Sequence, residues 1–243
     1  MWGQEDKVLG VLGGMGPLAT QLFYRMLIDM TDASCDQDHL DMIILNHATM
    51  PDRTEMIRTG RTEELYQALL KDVKKLEEYG ATAIAIPCNT SHLVADRLQA
   101  EIKIPIIHMI RETVQAIKQS RQGVKRVGIL ATDGTIASGL YQNACIEAGL
   151  QPFVPSKAGQ SLVMKIIYEG IKGGQPIDYN DFIKIEGELA ANGCEATIMG
   201  CTELSCMKEM YRLPDYYFDA MEVLAARAIQ ICGKKLKKSG GAL

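Results

Sequence analysis

No uninterrupted apolar stretch in these 243 residues approaches the roughly 18 that a membrane-spanning helix needs. The opening residues, Met1-Trp-Gly-Gln-Glu-Asp-Lys7, carry acids where a secretory signal would be apolar, so a cytoplasmic location is expected. A large excess of charge of one sign is lacking as well. A formal net charge of −4 gives no electrostatic reason to expect nucleic acid or an anionic membrane as partner. The seven cysteines (35, 88, 145, 194, 201, 206 and 232) form no CxxC pair and no regular disulfide framework. They read as free thiols, most of them small buried hydrophobes. His39, His47, His92 and His108 include no pair at metal-ligand spacing, so no metal site is expected. GxxxxGK[ST] is missing, which argues against nucleotide phosphate binding. Gly14-Met-Gly-Pro-Leu-Ala19 does fit a dinucleotide-binding pattern, but no acid ends the second strand, which closes on Asn46. The glycines are better explained by close approach of main chain to a small carboxylate.

What the chain does have is alternation. Short apolar runs at Val8–Leu12, Met42–Asn46, Ala83–Pro87, Pro105–Met109, Arg126–Ala131, Pro152–Pro155, Ala196–Gly200 and Tyr216–Ala220 are separated by amphipathic stretches. In one of these, Leu65, Leu69, Val73 and Leu76 share a face, Thr62 is placed to cap and Gly80 to stop the helix. Strand–helix alternation predicts an α/β fold of parallel sheets flanked by helices, with ligands at the carboxyl ends of the strands.

The chain also resembles itself. Lys75 to Cys88 aligns without a gap on Glu188 to Cys201, pairing Leu76 with Leu189, Gly80 with Gly193 and Cys88 with Cys201. Gly10–Gly16 similarly matches Gly128–Gly134. Two similar lobes are therefore expected, related by a pseudo-two-fold axis with the active site in the cleft: 1–110 plus 214–243, and 111–213. Chance similarity between two βα units is the plainer alternative.

Each half would then place a cysteine at a strand's carboxyl end and near a helix N-terminus, where a thiol pKa falls and thiolate becomes available as a base. Inversion of a stereocentre needs one group to remove a proton from one face and another to deliver a proton to the opposite face. Two opposed thiols suit that task. Asn89, Thr90 and Thr202, beside the cysteines, could supply preorganised donors to the planar transition state.

Six motifs carry a resemblance to a known family: Leu12-Gly-Gly-Met-Gly-Pro-Leu-Ala-Thr20, Pro51-Asp-Arg-Thr54, Pro87-Cys-Asn-Thr90 with His92, Ala131-Thr-Asp-Gly-Thr135, Tyr168-Glu-Gly-Ile-Lys172 and Gly200-Cys-Thr-Glu203. In that order they resemble the cofactor-independent aspartate/glutamate racemases, the aspartate branch in particular, over essentially the whole chain. The resemblance implies a homodimer, neither pyridoxal phosphate nor metal, and Cys88 and Cys201 as the catalytic pair. It further implies that Arg53 and Lys172 bind the substrate's side-chain carboxylate, a role that suits a guanidinium fork and an ammonium point charge. Met15, Thr132 and Thr135 would close the pocket, and Glu203 falls among the substrate-binding positions. Glutamate racemases usually carry histidine after the second Cys-Thr, where this chain has Glu203, and an acid and serine where it has Gly13-Gly14-Met15.

The expected reaction is interconversion of L- and D-aspartate. The alternatives are glutamate or a broader set of amino acids, since one methylene changes recognition by only about 1–3 kcal/mol. Further ones are another reaction on the same scaffold, or an acidic amino-acid binding protein without turnover. His92 reads as structural, Cys194 and Cys206 as packing, and Lys234–Lys238 as a helix C-terminus with a frayed tail.

Overall fold

A computed structural model of the chain describes residues 7–120 and 123–237. The chain divides into two compact units, Met1–Met109 with Met221–Leu243, and Ile110–Ala220.

The first unit alternates as expected: β1 (Val8–Gly13), α1 (Pro17–Met30), β2 (Asp41–Asn46), α2 (Arg53–Arg58), α3 (Thr62–Glu78), β3 (Ala83–Ala85), α4 (Ala95–Gln99) and β4 (Ile106–Ile107). Its sheet has the order β2-β1-β3-β4, and every pairing is parallel. Pro17 opens α1, where its missing N–H costs nothing. On α3, Leu65, Leu69, Val73 and Leu76 are completely buried, each contributing about 2 kcal/mol of apolar burial. Thr62 does not cap that helix. It already lies in its first turn, and Arg61 is the N-cap, without a side-chain bond.

The second unit begins with α5 (Met109–Ser120). It continues through β5 (Arg126–Leu130), α6 (Asp133–Ala137), α7 (Leu140–Glu147), β6 (Gln151–Phe153), α8 (Lys157–Lys165), a π-helical turn (Ile166–Lys172), α9 (Tyr179–Ala191), β7 (Ala196–Met199), α10 (Thr202–Tyr211) and β8 (Tyr217–Asp219). Its order is β6-β5-β7-β8, again parallel throughout. Because β8 pairs with β7, the second unit runs to Ala220 rather than to 213.

The internal repeat has a packing basis. A Cβ on Gly10 would lie 2.9 Å from Ala81 Cβ and 3.3 Å from Leu76 Cβ, and one on Gly128 would lie 2.8 Å from Leu189 Cδ2. The central strand of each sheet thus keeps a glycine so that the matching leucine can lie directly on it.

After β8, α11 (Ala220–Ile231) returns the chain to the first unit. The lysines beyond it are not helical. Leu236 bridges to Thr31, Asp32 N–H donates to Lys235 O and Lys237 N–H donates to Met30 O, so this segment straps the end of α1. Gly233, with φ +76, breaks the helix before it. Lys238 and the Ser-Gly-Gly that follows it lie outside the described residues. Among those described, no helix is long and apolar enough to cross a membrane.

Candidate active site

In the first unit the expected residues gather at the carboxyl ends of β1, β2 and β3. The loop after β1 carries Met15, which is buried. Thr20 holds this loop from the first turn of α1: its Oγ accepts from Gly14 N–H at 2.8 Å and donates to Gly16 O at 2.9 Å. Arg53 lies at the start of α2, after the N-cap Asp52, whose side chain accepts from Glu55 N–H at 2.9 Å. The Arg53 guanidinium is buried and donates to three main-chain carbonyls: Met50 at 3.3 Å, Pro51 at 3.0 Å and Met15 at 3.1 Å. It therefore ties the loop after β2 to the loop after β1.

Cys88 follows β3 by three residues and is buried, as are Asn89 and Thr90. The helix expected here opens as a 3-10 turn (Thr90–Val94) before α4. Ser91 Oγ donates to Met15 Sδ at 3.4 Å, joining this turn to the β1 loop. His92 has a definite structural task. Its Nε2 accepts from Met109 N–H at 3.1 Å, so Nδ1 carries the proton and donates to Cys88 O at 2.9 Å. The neutral ring thereby fixes the main chain of Cys88 against the end of the β4 segment.

Sequence reasoning missed Asp72. Its carboxylate is buried on α3, bonded to His47 Nδ1 through one oxygen and to Lys75 Nζ at 3.2 Å through the other. His47 lies on the loop after β2, where its N–H donates to Gly13 O at 3.1 Å. The signal was available: Asp72 falls inside the apolar stripe of Leu65, Leu69, Val73 and Leu76.

In the second unit Cys201 is the N-cap of α10, two residues after β7, and is buried. Its Sγ donates to Glu203 Oε2 at 2.8 Å, and Thr202 Oγ1 lies 3.4 Å from the same oxygen. Lys172 ends the π-helical turn, with Nζ 3.8 Å from Glu203 Oε1 and 4.4 Å from the centre of the Tyr168 ring. A π-turn of this kind commonly marks a functional position, and here it brings a cation to a buried carboxylate. Thr132 caps α6, its Oγ accepting from Thr135 N–H at 3.3 Å and lying 3.2 Å from Thr135 Oγ1. Ala131, just before it, adjoins Gly200, just before Cys201: a Cβ on Gly200 would be 3.2 Å from Ala131 Cβ. Tyr141 was also missed. Its ring covers Gly200, and burial pushes its phenol far above the ordinary value.

One expectation fails. A helix N-terminus was expected to lower the thiol pKa, yet Cys201 is pushed well above 9.0. Burial is the main cause and the Glu203 carboxylate adds to it, while Lys172 opposes them. Desolvation beside an anion outweighs the helix terminus.

The profile of the Asp/Glu/Hydantoin racemase family matches residues 12–228. The chain belongs to that family. The broad specificity amino-acid racemase RacX of Bacillus subtilis is 32% identical over 91% of this chain and 96% of its own length. The Picrophilus torridus aspartate racemase superposes with a TM-score of 0.79 at 33% identity, covering 96% of this chain and 97% of that one. An aspartate racemase homologue from Pyrococcus horikoshii superposes with a TM-score of 0.76 at 26% identity, over 93% and 99% of the two chains. The Francisella tularensis glutamate racemase, solved with D-glutamate, shares the racemase fold at 18% identity and a TM-score of 0.66, over 93% and 80%.

Proposed function

We propose that this racemase-family enzyme interconverts L- and D-aspartate by two-base proton transfer between Cys88 and Cys201. The observation that carries the reading is topological. Each unit has the same strand order, and in each a buried thiol follows the strand that pairs with the central one. In one direction a thiolate takes the α-proton and becomes a thiol, while the other thiol protonates the opposite face and becomes a thiolate. The reverse direction exchanges the roles, with Cys88 serving the D-enantiomer's proton and Cys201 that of the L-enantiomer. The reading assigns no step to pyridoxal phosphate or to a metal.

Arg53 and Lys172 are the cations proposed for the side-chain carboxylate. The three carbonyl bonds of Arg53 also make it the brace of the Met15 loop. Main-chain N–H groups and hydroxyls at Asn89, Thr90, Thr202, Thr132 and Thr135 are the proposed donors to the rest of the substrate. Broad specificity is the second reading, favoured by a resemblance to RacX almost equal to that to the Picrophilus aspartate racemase. The seven free cysteines favour a reducing, cytoplasmic setting. A homodimer is proposed on the exposed apolar side chains of Leu18, Tyr24 and Ile28 on α1, and sedimentation tests it.

The test supplies pure L-aspartate to the purified protein in deuterated water and follows optical rotation and α-deuterium. Both should change. Cys88→Ser and Cys201→Ser should each lose racemisation by about two orders of magnitude or more, with exchange lacking inversion as the residual activity. Folded wild-type protein giving neither signal refutes the reading. A panel of L-amino acids scored by chiral chromatography separates aspartate from broad specificity.

A further inference from the structure

Glu203 is buried, two residues beyond Cys201, and its oxygens face different partners. Oε2 accepts the Cys201 S–H at 2.8 Å, with Thr202 Oγ1 3.4 Å away, and Oε1 faces Lys172 Nζ at 3.8 Å. Both carboxylate oxygens thus face groups of the protein itself, one of them the proposed catalytic thiol.

We propose that Glu203 is the positioning residue of Cys201: its carboxylate, steadied by Lys172, holds the Cys201 thiol protonated and aimed in the resting enzyme, so that Cys201 starts the cycle as the acid. This rests on Cys201 being one of the proton-transfer pair.

The charge arrangement gives the device its direction. When Cys201 yields its proton to the α-carbon, a thiolate is left against the Glu203 carboxylate. Two adjacent negative charges in a desolvated site make that thiolate an unusually strong base, which the return reaction requires. Among the described residues, Lys172, from the π-helical turn, and Tyr141, from α7, also act on Cys201. Lys172 offsets part of the repulsion, and Tyr141 stays protonated beside Asp219. If Lys172 turns towards a substrate carboxylate, Glu203 loses part of its neutralisation and grips the Cys201 proton more firmly. Substrate binding and the protonation of Cys201 are then coupled through one lysine.

The experiment labels the full-length enzyme with iodoacetamide across a pH series. Peptide mass spectrometry quantifies the Cys201 and Cys88 adducts separately. Glu203→Gln removes the charge, keeps the shape and offers an amide N–H to the thiolate. The Cys201 labelling midpoint should fall by about one pH unit or more, a tenfold gain in thiolate below it, with Cys88 unchanged. Glu203→Asp, which keeps the charge, should restore a high midpoint. Lys172→Gln should move the midpoint the opposite way, upward, and carries the test alone if Glu203→Gln does not fold. An unmoved Cys201 midpoint in a folded variant overturns the proposal, as does an equal shift at both cysteines. The readout needs no turnover. Labelling that shifts in a protein unable to racemise aspartate would sink the activity, and with it the role of Cys201 as the acid, and leave only the hold of Glu203 on the thiol standing; unshifted labelling in an active racemase would sink that hold and leave the activity.

Discussion

Raising the pH from about 8 to about 10 should weaken the fold, because thiols that ionise in the unfolded chain are held protonated in the native one. Burial pushes the Cys145 thiol up to about 12 and that of Cys232 up to about 11, against an ordinary 9.0. The native state therefore binds more protons than the unfolded state once the pH passes the ordinary value, and stability falls as pH rises from there until the folded thiols themselves ionise. At pH 10 the unfolded thiol is about tenfold in favour of thiolate, worth about 1.4 kcal/mol for each group, or about 3 kcal/mol for the pair. Cys201 acts in the same direction. Urea unfolding of the wild type and Cys145→Ala at the two pH values is the assay. Lysine and tyrosine titrations are common to both proteins and cancel in the difference. The variant should lose about 1.4 kcal/mol less between the two pH values than the wild type. An identical pH dependence would show that Cys145 ionises as readily folded as unfolded and would refute the reasoning.

Asp72→Ala strands His47 and removes the anchor between α3 and the loop after β2, at a cost of about 1–3 kcal/mol. Combined with His47→Ala, the losses should fall short of additivity by about 1 kcal/mol in denaturant unfolding, and strict additivity would dismiss the pair. Gly200→Ala places a Cβ 2.7 Å from the Tyr141 ring, which is wholly buried and has nowhere to turn. Thermal unfolding should show a loss of about 1–3 kcal/mol, and unchanged stability would mean that the ring can move.

Much of the fold was legible because its signals are local. All eight apolar runs became strands, and α3 follows from one stripe of leucines and a valine. The repeat was legible for a deeper reason: Gly10 with Leu76 and Gly128 with Leu189 are close contacts that a side chain on either glycine would break. The tail from Lys234 misled because lysines near a chain end suit a helix C-terminus, and only main-chain bonding to Met30 and Asp32, on either side of Thr31, turned them into a strap. The site divides in the same way. Cysteine at a strand end is a pattern along the chain, whereas the protonation of Cys201 depends on what surrounds it. Helix termini are visible in a sequence; the desolvation and the Glu203 oxygen that overrule them are not.

The two halves are alike in topology and unlike around their thiols, which raises the question of what a symmetric reaction can do with unequal bases. Cys201 caps a ten-residue helix and bonds a carboxylate. Cys88 precedes a 3-10 turn, and its carbonyl is bonded by a neutral imidazole. Enantiomers have equal free energy in water, so kcat/KM must be equal in the two directions whatever the environments of the bases. Under the proposed reaction, unequal thiols can therefore change the two kcat/KM values only by a common factor, and what separates the enantiomers is the balance between the two resting protonation forms, which alters kcat and KM together for each. Glu203→Gln should shift both constants for L- and D-aspartate by different factors while the ratio of the two kcat/KM values stays at unity. A ratio that departs from unity would mean that aspartate leaves the site as something other than its mirror image.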